Sequence, residues 1–237
     1  IQIASSAKHL TLQSLTRRIE AAGRCFITDG GFRPGIPAAL VRFAATQIPH
    51  LESAMVASAF QVDWKAKEFA FSSAGEFVDE LKSYSTLVLR NGVWSKAKLS
   101  EMQQVDFGTP FGVKPCTPMF MEEFRSLPEA IPTLTKTGFY SAGFGPLVDY
   151  GVIPVSLLLV KLIPVRSKSL VARLFLWGLK NGTKPPYGSV LKMDAKGTQD
   201  EKQIHLTMTV YHEDPYILTA ISAAICLQQY FCGSIRR

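Results

Sequence analysis

Three glycines and a proline punctuate the stretch Asp29-Gly30-Gly31-Phe32-Arg33-Pro34-Gly35, which lies between the apolar triplet Cys25-Phe26-Ile27 and a helix-patterned segment over 37–46. Glycine permits positive φ and lets a ligand come close to the backbone. Proline stiffens the corner, and the start of the following helix offers free N–H donors to an anionic group. Arg33 carries the planar fork that grips a carboxylate through two hydrogen bonds. Residue types and spacing therefore allow a ligand-binding corner. An ordinary strand-to-helix turn accounts for the same spacing.

The rest of the chain holds less chemistry. No G-x-S-x-G nucleophile motif occurs, and no histidine stands in a helpful local pattern with a serine or cysteine. His205 and His212, on a strand and at its exit, are read as surface or hydrogen-bonded structural residues. Glu122 and Glu123 suit the first turn of a helix, where negative charge complements the dipole; a catalytic carboxylate pair is the sharper alternative. Cys25, Cys116, Cys226 and Cys232 show neither C-x-x-C pairing nor metal spacing with the histidines. They read as small hydrophobes in a reducing, cytoplasmic setting, with no metal site. No catalytic acid or base is assigned.

Several elements must position the corner. Leu12, Leu15, Ile19 and Ala22 recur at helical spacing, and Gly23 is a suitable stop. Cys25-Phe26-Ile27 reads as a short buried strand, and residues 37–46 as a helix with prolines near its start. Residues 54–64 are rich in strand formers. Ser73 to Glu76 fits a capping box, with Phe77, Leu81 and Tyr84 on one face behind it. Asn91-Gly92 between strand-like 86–90 and 93–94 signals a hairpin. Residues 107–146, thick with Gly and Pro, read as loops and short elements. Helices are expected over 149–162 and 169–180, separated by Pro164. The clearest hairpin spans 190–195 and 203–211, where Ile204, Leu206, Met208 and Val210 alternate with polar positions. Asp214-Pro215 opens a last helix running to about Phe231.

Composition bounds the partners. The chain has 237 residues, 47% hydrophobic and 19% charged, with net charge +7. That is enough for a sizeable core and argues against disorder. Between Lys161 and Lys196, eight Lys/Arg face one Asp. Nucleic acid or an anionic membrane is attracted to such a region, and a solvated face or an acidic neighbour explains it too. No aromatic stacking platform interleaves with these basic residues, so nucleic acid is not the expected partner. The apolar run 152–165 is shorter than the roughly 20 residues a spanning helix needs. It reads as a buried or interface helix, with a helix lying on a membrane surface as the alternative.

The corner at 29–37 resembles the G-F-x-P-G-[LI] turn of saccharopine dehydrogenase-like oxidoreductases. Further segments resemble the same family: FGTPFG at 107–112, MFMEEFRSLPE at 119–129, TGFYSAGF at 137–144, KPPYG at 184–188 and DPYILTA at 214–220. The resemblance runs from about Gly23 to Ser234. It implies the carboxy-terminal, substrate-binding part of such an enzyme, an α+β fold with a mixed, largely antiparallel sheet covered by helices. A remnant of a Rossmann-type α/β unit is expected at the N-terminus, so that 1–48 closes the cofactor unit and 49–237 is a substrate-binding and dimerisation domain. By the same resemblance Gly31, Pro34 and Gly35 line the nicotinamide end, and Asp29, Phe32 and Arg33 the substrate. The full-length protein would use NAD or NADP on an amino-acid-derived secondary amine or imine, and would be a homodimer through an extended sheet or the hydrophobic helix. The G-x-G-x-x-G fingerprint is missing here. This chain alone is therefore expected to bind no cofactor and to be inactive, needing a Rossmann domain in cis. The alternative is a non-catalytic interaction or membrane-surface protein that keeps the fold.

Overall fold

A computed structural model describes residues 11–66, 84–162 and 167–234. The expected capping box at Ser73 lies outside these. The helices are α1 (Thr16–Ala21), α2 (Ile36–Gln47), α3 (Leu127–Ala130), α4 (Ile153–Leu162), α5 (Ser167–Gly182) and α6 (Pro215–Phe231). The strands are β1 (His50–Gln61), β2 (Leu87–Arg90), β3 (Val93–Lys96), β4 (Gln103–Asp106), β5 (Val113–Met119), β6 (Lys136–Ala142), β7 (Gly188–Gln199) and β8 (Lys202–His212). All eight share one sheet in the order β3-β2-β6-β1-β7-β8, with β5 also on β6 and β4 beyond it. Among these described strands only β1 and β6 run parallel, pairing Ser53 with Lys136 through Ser58 with Ser141. The fold is α+β, with the mixed, largely antiparallel sheet expected.

β1 is covered on both faces, which explains its small residues. Ala54 and Val56 belong to the cluster under α2, together with Phe124, Leu127 and Phe139. Ala57 and Ala59 turn the other way, towards Val88, Phe107, Phe111 and Tyr140. The two-residue period of a strand makes this separation. α2 lies on the first face because Pro37, Ala38, Leu40, Val41 and Ala44 form one buried stripe at helical spacing.

The Asn91-Gly92 hairpin forms, with φ of 49° and 77° at its two turn residues. The β7–β8 hairpin also forms, and its alternation holds: Ile204, Leu206, Met208 and Val210 pack against the main core. Its turn places Asp200 and Glu201 at φ of 49° and 63°, a two-residue connection without glycine. Asp214 caps α6 by accepting from Tyr216 N–H at 2.9 Å.

Four sequence expectations change. Residues 24–27 form no strand; Cys25 is exposed and Phe26 is 45% exposed. The helix expected over 11–22 is interrupted at Leu15, and α1 buries none of its residues. The stretch 107–146 is not mainly loop, since it holds β5 and the central strand β6. Gly138 hid β6 by removing its apolar alternation. Its lack of a side chain is structural, because a Cβ there would lie 2.9 Å from Val88 Cγ1 on the neighbouring strand. The helix expected from 149 begins as a wide π-type turn, Leu147–Val152, before α4.

Candidate functional site

The corner before α2 is a knot held by its own backbone. Gly31 N–H donates to the Pro34 carbonyl at 3.0 Å, and Ile36 N–H to the Gly31 carbonyl at 3.2 Å. Asp29 sits at φ 54° and Gly35 at φ 132°. At Gly35 a Cβ would collide with the Asp29 and Gly31 carbonyl oxygens, so glycine there is a steric requirement.

The knot sends its side chains in different directions. Phe32 is buried in the main core. Arg33 lies across the sheet, where its Nη1 donates to Ser58 Oγ at 3.0 Å and Ser141 Oγ at 2.9 Å. Those serines are register partners on β1 and β6. The guanidinium also stands 5.9 Å from the Phe60 ring centre and 5.8 Å from that of Phe139, within cation–π range. Asp29 and Gly35 instead line a cavity of about 530 Å³, whose boundary does not include Gly31, Phe32, Arg33 or Pro34.

The free donors expected at the start of α2 are not free. Gly35 N–H donates to Glu123 Oε2 at 2.8 Å, and the nearby Ala38 N–H also favours the charged carboxylate. A side chain 88 positions downstream thus fills the place an anionic ligand would take. A dinucleotide's pyrophosphate does not fit there while Glu123 stays. Burial pushes the Glu123 carboxyl up to about 8, and the Asp29 charge adds to the rise, outweighing the two backbone donors and Arg42. Its Oε1 is buried without a hydrogen-bond partner. Glu123 is accordingly a group that keeps its proton at neutral pH.

Around it the cavity is lined by Asp29, Glu122 and Glu129 together with Arg42 and Arg125. Glu122 is ion-paired with Arg125, and Arg42 donates to Ser126 Oγ at 3.3 Å. Sequence reasoning placed Glu122 and Glu123 at the first turn of their own helix. They do form a short 3₁₀ turn, Glu122–Phe124. The helix dipole that Glu123 meets, however, is that of α2. No local signal in the sequence joins residue 123 to residue 35.

The two histidines take the structural places expected. His212 Nδ1 accepts from Asp214 N–H at 2.9 Å, and His205 Nε2 stands 3.4 Å from Asp194 Oδ1. Among the described residues no cluster of His, Cys, Asp and Glu is arranged to hold a metal.

This combination is an α+β domain with one parallel strand pair and a glycine corner packed over it. It is a saccharopine dehydrogenase-like fold. The solved structure of apo saccharopine dehydrogenase (L-Glu forming) from Saccharomyces cerevisiae superposes with a TM-score of 0.60 at 14% identity, covering 100% of this chain and 71% of that one. The likeness is one of fold. No protein-family model matches the sequence, and no curated protein matches it.

Proposed function

We propose that this chain is the substrate-binding and dimerisation part of an NAD(P)-dependent, saccharopine dehydrogenase-like oxidoreductase acting on an amino-acid-derived secondary amine or its imine. The observation that carries the reading is the cavity at the start of α2, in which carboxylates and two guanidinium groups surround about 530 Å³. Charges of both signs around one small cavity suit a zwitterionic, amino-acid-like ligand better than an apolar or purely anionic one. Arg42 is the group for its carboxylate, and Asp29 and Glu129 are the groups for its ammonium.

Residues 1–48 end, in this reading, the unit that holds the cofactor. Phe26, 45% exposed, supports that, as does α1, which buries none of its residues and so is free to meet another unit. Dimerisation uses the β8 edge and α6, which exposes Tyr216, Ile217, Ile221, Ile225 and Phe231. A two-fold dimer is expected by light scattering at high micromolar concentration; a monomer there removes this part.

Calorimetry tests the substrate reading. Saccharopine should bind at sub-millimolar concentration, and Arg42→Ala should weaken it by at least about tenfold, a loss of ~1.4 kcal/mol. No binding by the wild-type chain overturns the reading. Micromolar NAD(P) binding by this chain alone would sink the claim that the cofactor is held by a further unit.

A further inference from the structure

The most apolar part of the described chain is not in its core. α4 has the sequence IPVSLLLVKL, yet Ser156 is its only buried residue. Val155, Leu157, Leu158 and Leu162 are each about half exposed or more. α5 buries Val171, Ala172, Phe175 and Leu179, the last two packed with Val148 and Val152, and Gly178 lets it approach Val152 closely. Its outward residues are Leu170, Arg173, Trp177 and Lys180, at a helical spacing that alternates apolar and basic. Leu170 and Trp177 are 52% and 54% exposed.

The charge along this stretch of the sequence has one sign. From Tyr150 to Met193 the sequence holds seven Lys/Arg and no Asp or Glu. Lys161, Arg173 and Lys180 are exposed beside the apolar side chains. Long basic side chains flanking leucines, with a tryptophan among them, match the boundary layer of a lipid membrane, where aliphatic groups enter and cationic ends stay at the headgroups. Neither helix crosses: α4, with 10 residues, is about 15 Å long against a hydrocarbon core of about 30 Å, and no described helix is long and apolar enough to span.

We propose that the outward face of α4 and α5 docks on an anionic phospholipid surface, with Val155, Leu158, Leu162 and Trp177 in the acyl boundary and Lys161, Arg173 and Lys180 at the headgroups. A second copy of the chain is the rival occupant. The charge argues against it, because a two-fold contact through this face brings basic groups against basic groups with no acid on either helix between them. The inference is independent of the amine-binding cavity, which lies at the start of α2.

The test is co-sedimentation of the whole chain with phosphatidylcholine vesicles, with and without about one-third phosphatidylserine. Binding is expected to the mixed vesicles, to weaken with salt, and to be at least about tenfold weaker without the anionic lipid. Binding should shift tryptophan emission to the blue, and Trp177→Phe should remove that shift while Trp64 and Trp94 remain. The double variant Leu158→Glu with Leu162→Glu, checked for an unchanged urea midpoint, should lose binding at least about tenfold. Arg173→Glu with Lys180→Glu should do the same without touching an apolar residue. No sedimentation with either vesicle overturns the proposal. So does equal binding to both, or self-association in solution that the leucine double variant abolishes.

Discussion

α2 and α4 invert the usual relation between hydrophobicity and burial. α2 has an ordinary mixture of residues and buries five of them, four in the main core. α4 is almost wholly apolar and buries only a serine. The difference is that α2 presents a stripe matched to a sheet face already lined by Ala54, Val56 and Phe139, whereas among the described residues α4 packs mainly against α5 and the turn before it. Apolar content measures what a segment gains by leaving water; a complementary surface decides whether it leaves. α2 is consequently part of the scaffold, and α4 is a surface in need of a partner.

The sharpest test of this contrast places one charge in each helix. Val41→Asp puts an unpaired carboxylate at a fully buried site of α2 and should cost more than about 4 kcal/mol, enough to abolish cooperative folding. Leu158→Asp on α4 should shift stability by less than about 0.5 kcal/mol. Urea unfolding of both variants decides it, and similar losses would end the distinction.

Next in size is Gly35→Ala, at the start of α2. Its φ of 132° and the collision with two carbonyl oxygens should cost roughly 3 kcal/mol or more. Gly151→Ala, before α4, meets nothing nearer than Leu147 Cδ1 at 3.9 Å and should cost less than about 1 kcal/mol by the same unfolding measurement.

Glu123 gives a pH signature to the α2 end alone. Its carboxyl titrates near 8 in the folded chain and near the ordinary 4.5 when unfolded. The folded state therefore holds the extra proton between these values. Its stability contribution is complete below about 4.5 and is lost as pH rises through about 8, with a slope of up to about 1.4 kcal/mol per pH unit. Glu123→Gln keeps an oxygen for Gly35 N–H but has no proton to lose. The variant's urea midpoint should stay flatter than wild type from about pH 5 to about pH 9, and parallel curves would remove the buried acid from the account.

The smallest expected effect concerns α4 again. Ser156 Oγ is buried with no hydrogen-bond partner, so Ser156→Ala should leave stability unchanged or raise it by up to about 1 kcal/mol in thermal unfolding. A clear loss would mean that α4 is held more specifically than its contacts indicate.

Much of this molecule was legible from local pattern. The stripe of α2, the Asn91-Gly92 turn, the alternation along β8 and the Asp214 cap each arise from neighbours in sequence. Each therefore leaves a periodic or compositional mark. β6 left none, because Gly138 breaks its alternation and the need for glycine comes from Val88 on another strand. The candidate site divides in the same way. The glycine corner is written in its own seven residues, including the demand for glycine at 35. The fate of its anion-binding end is written 88 positions away in Glu123.

The sequence by itself determined α2, α5 and α6, the two hairpins and the corner, since these depend on backbone preferences and on apolar periods of two and 3.6 residues. Only the tertiary structure decided that Arg33 lies over Ser58 and Ser141, that Glu123 closes the start of α2, and that the leucines of α4 face outward. Each of those outcomes depends on which surfaces meet. That is fixed by long-range packing and by the cost of burying polar groups, for which no local pattern exists.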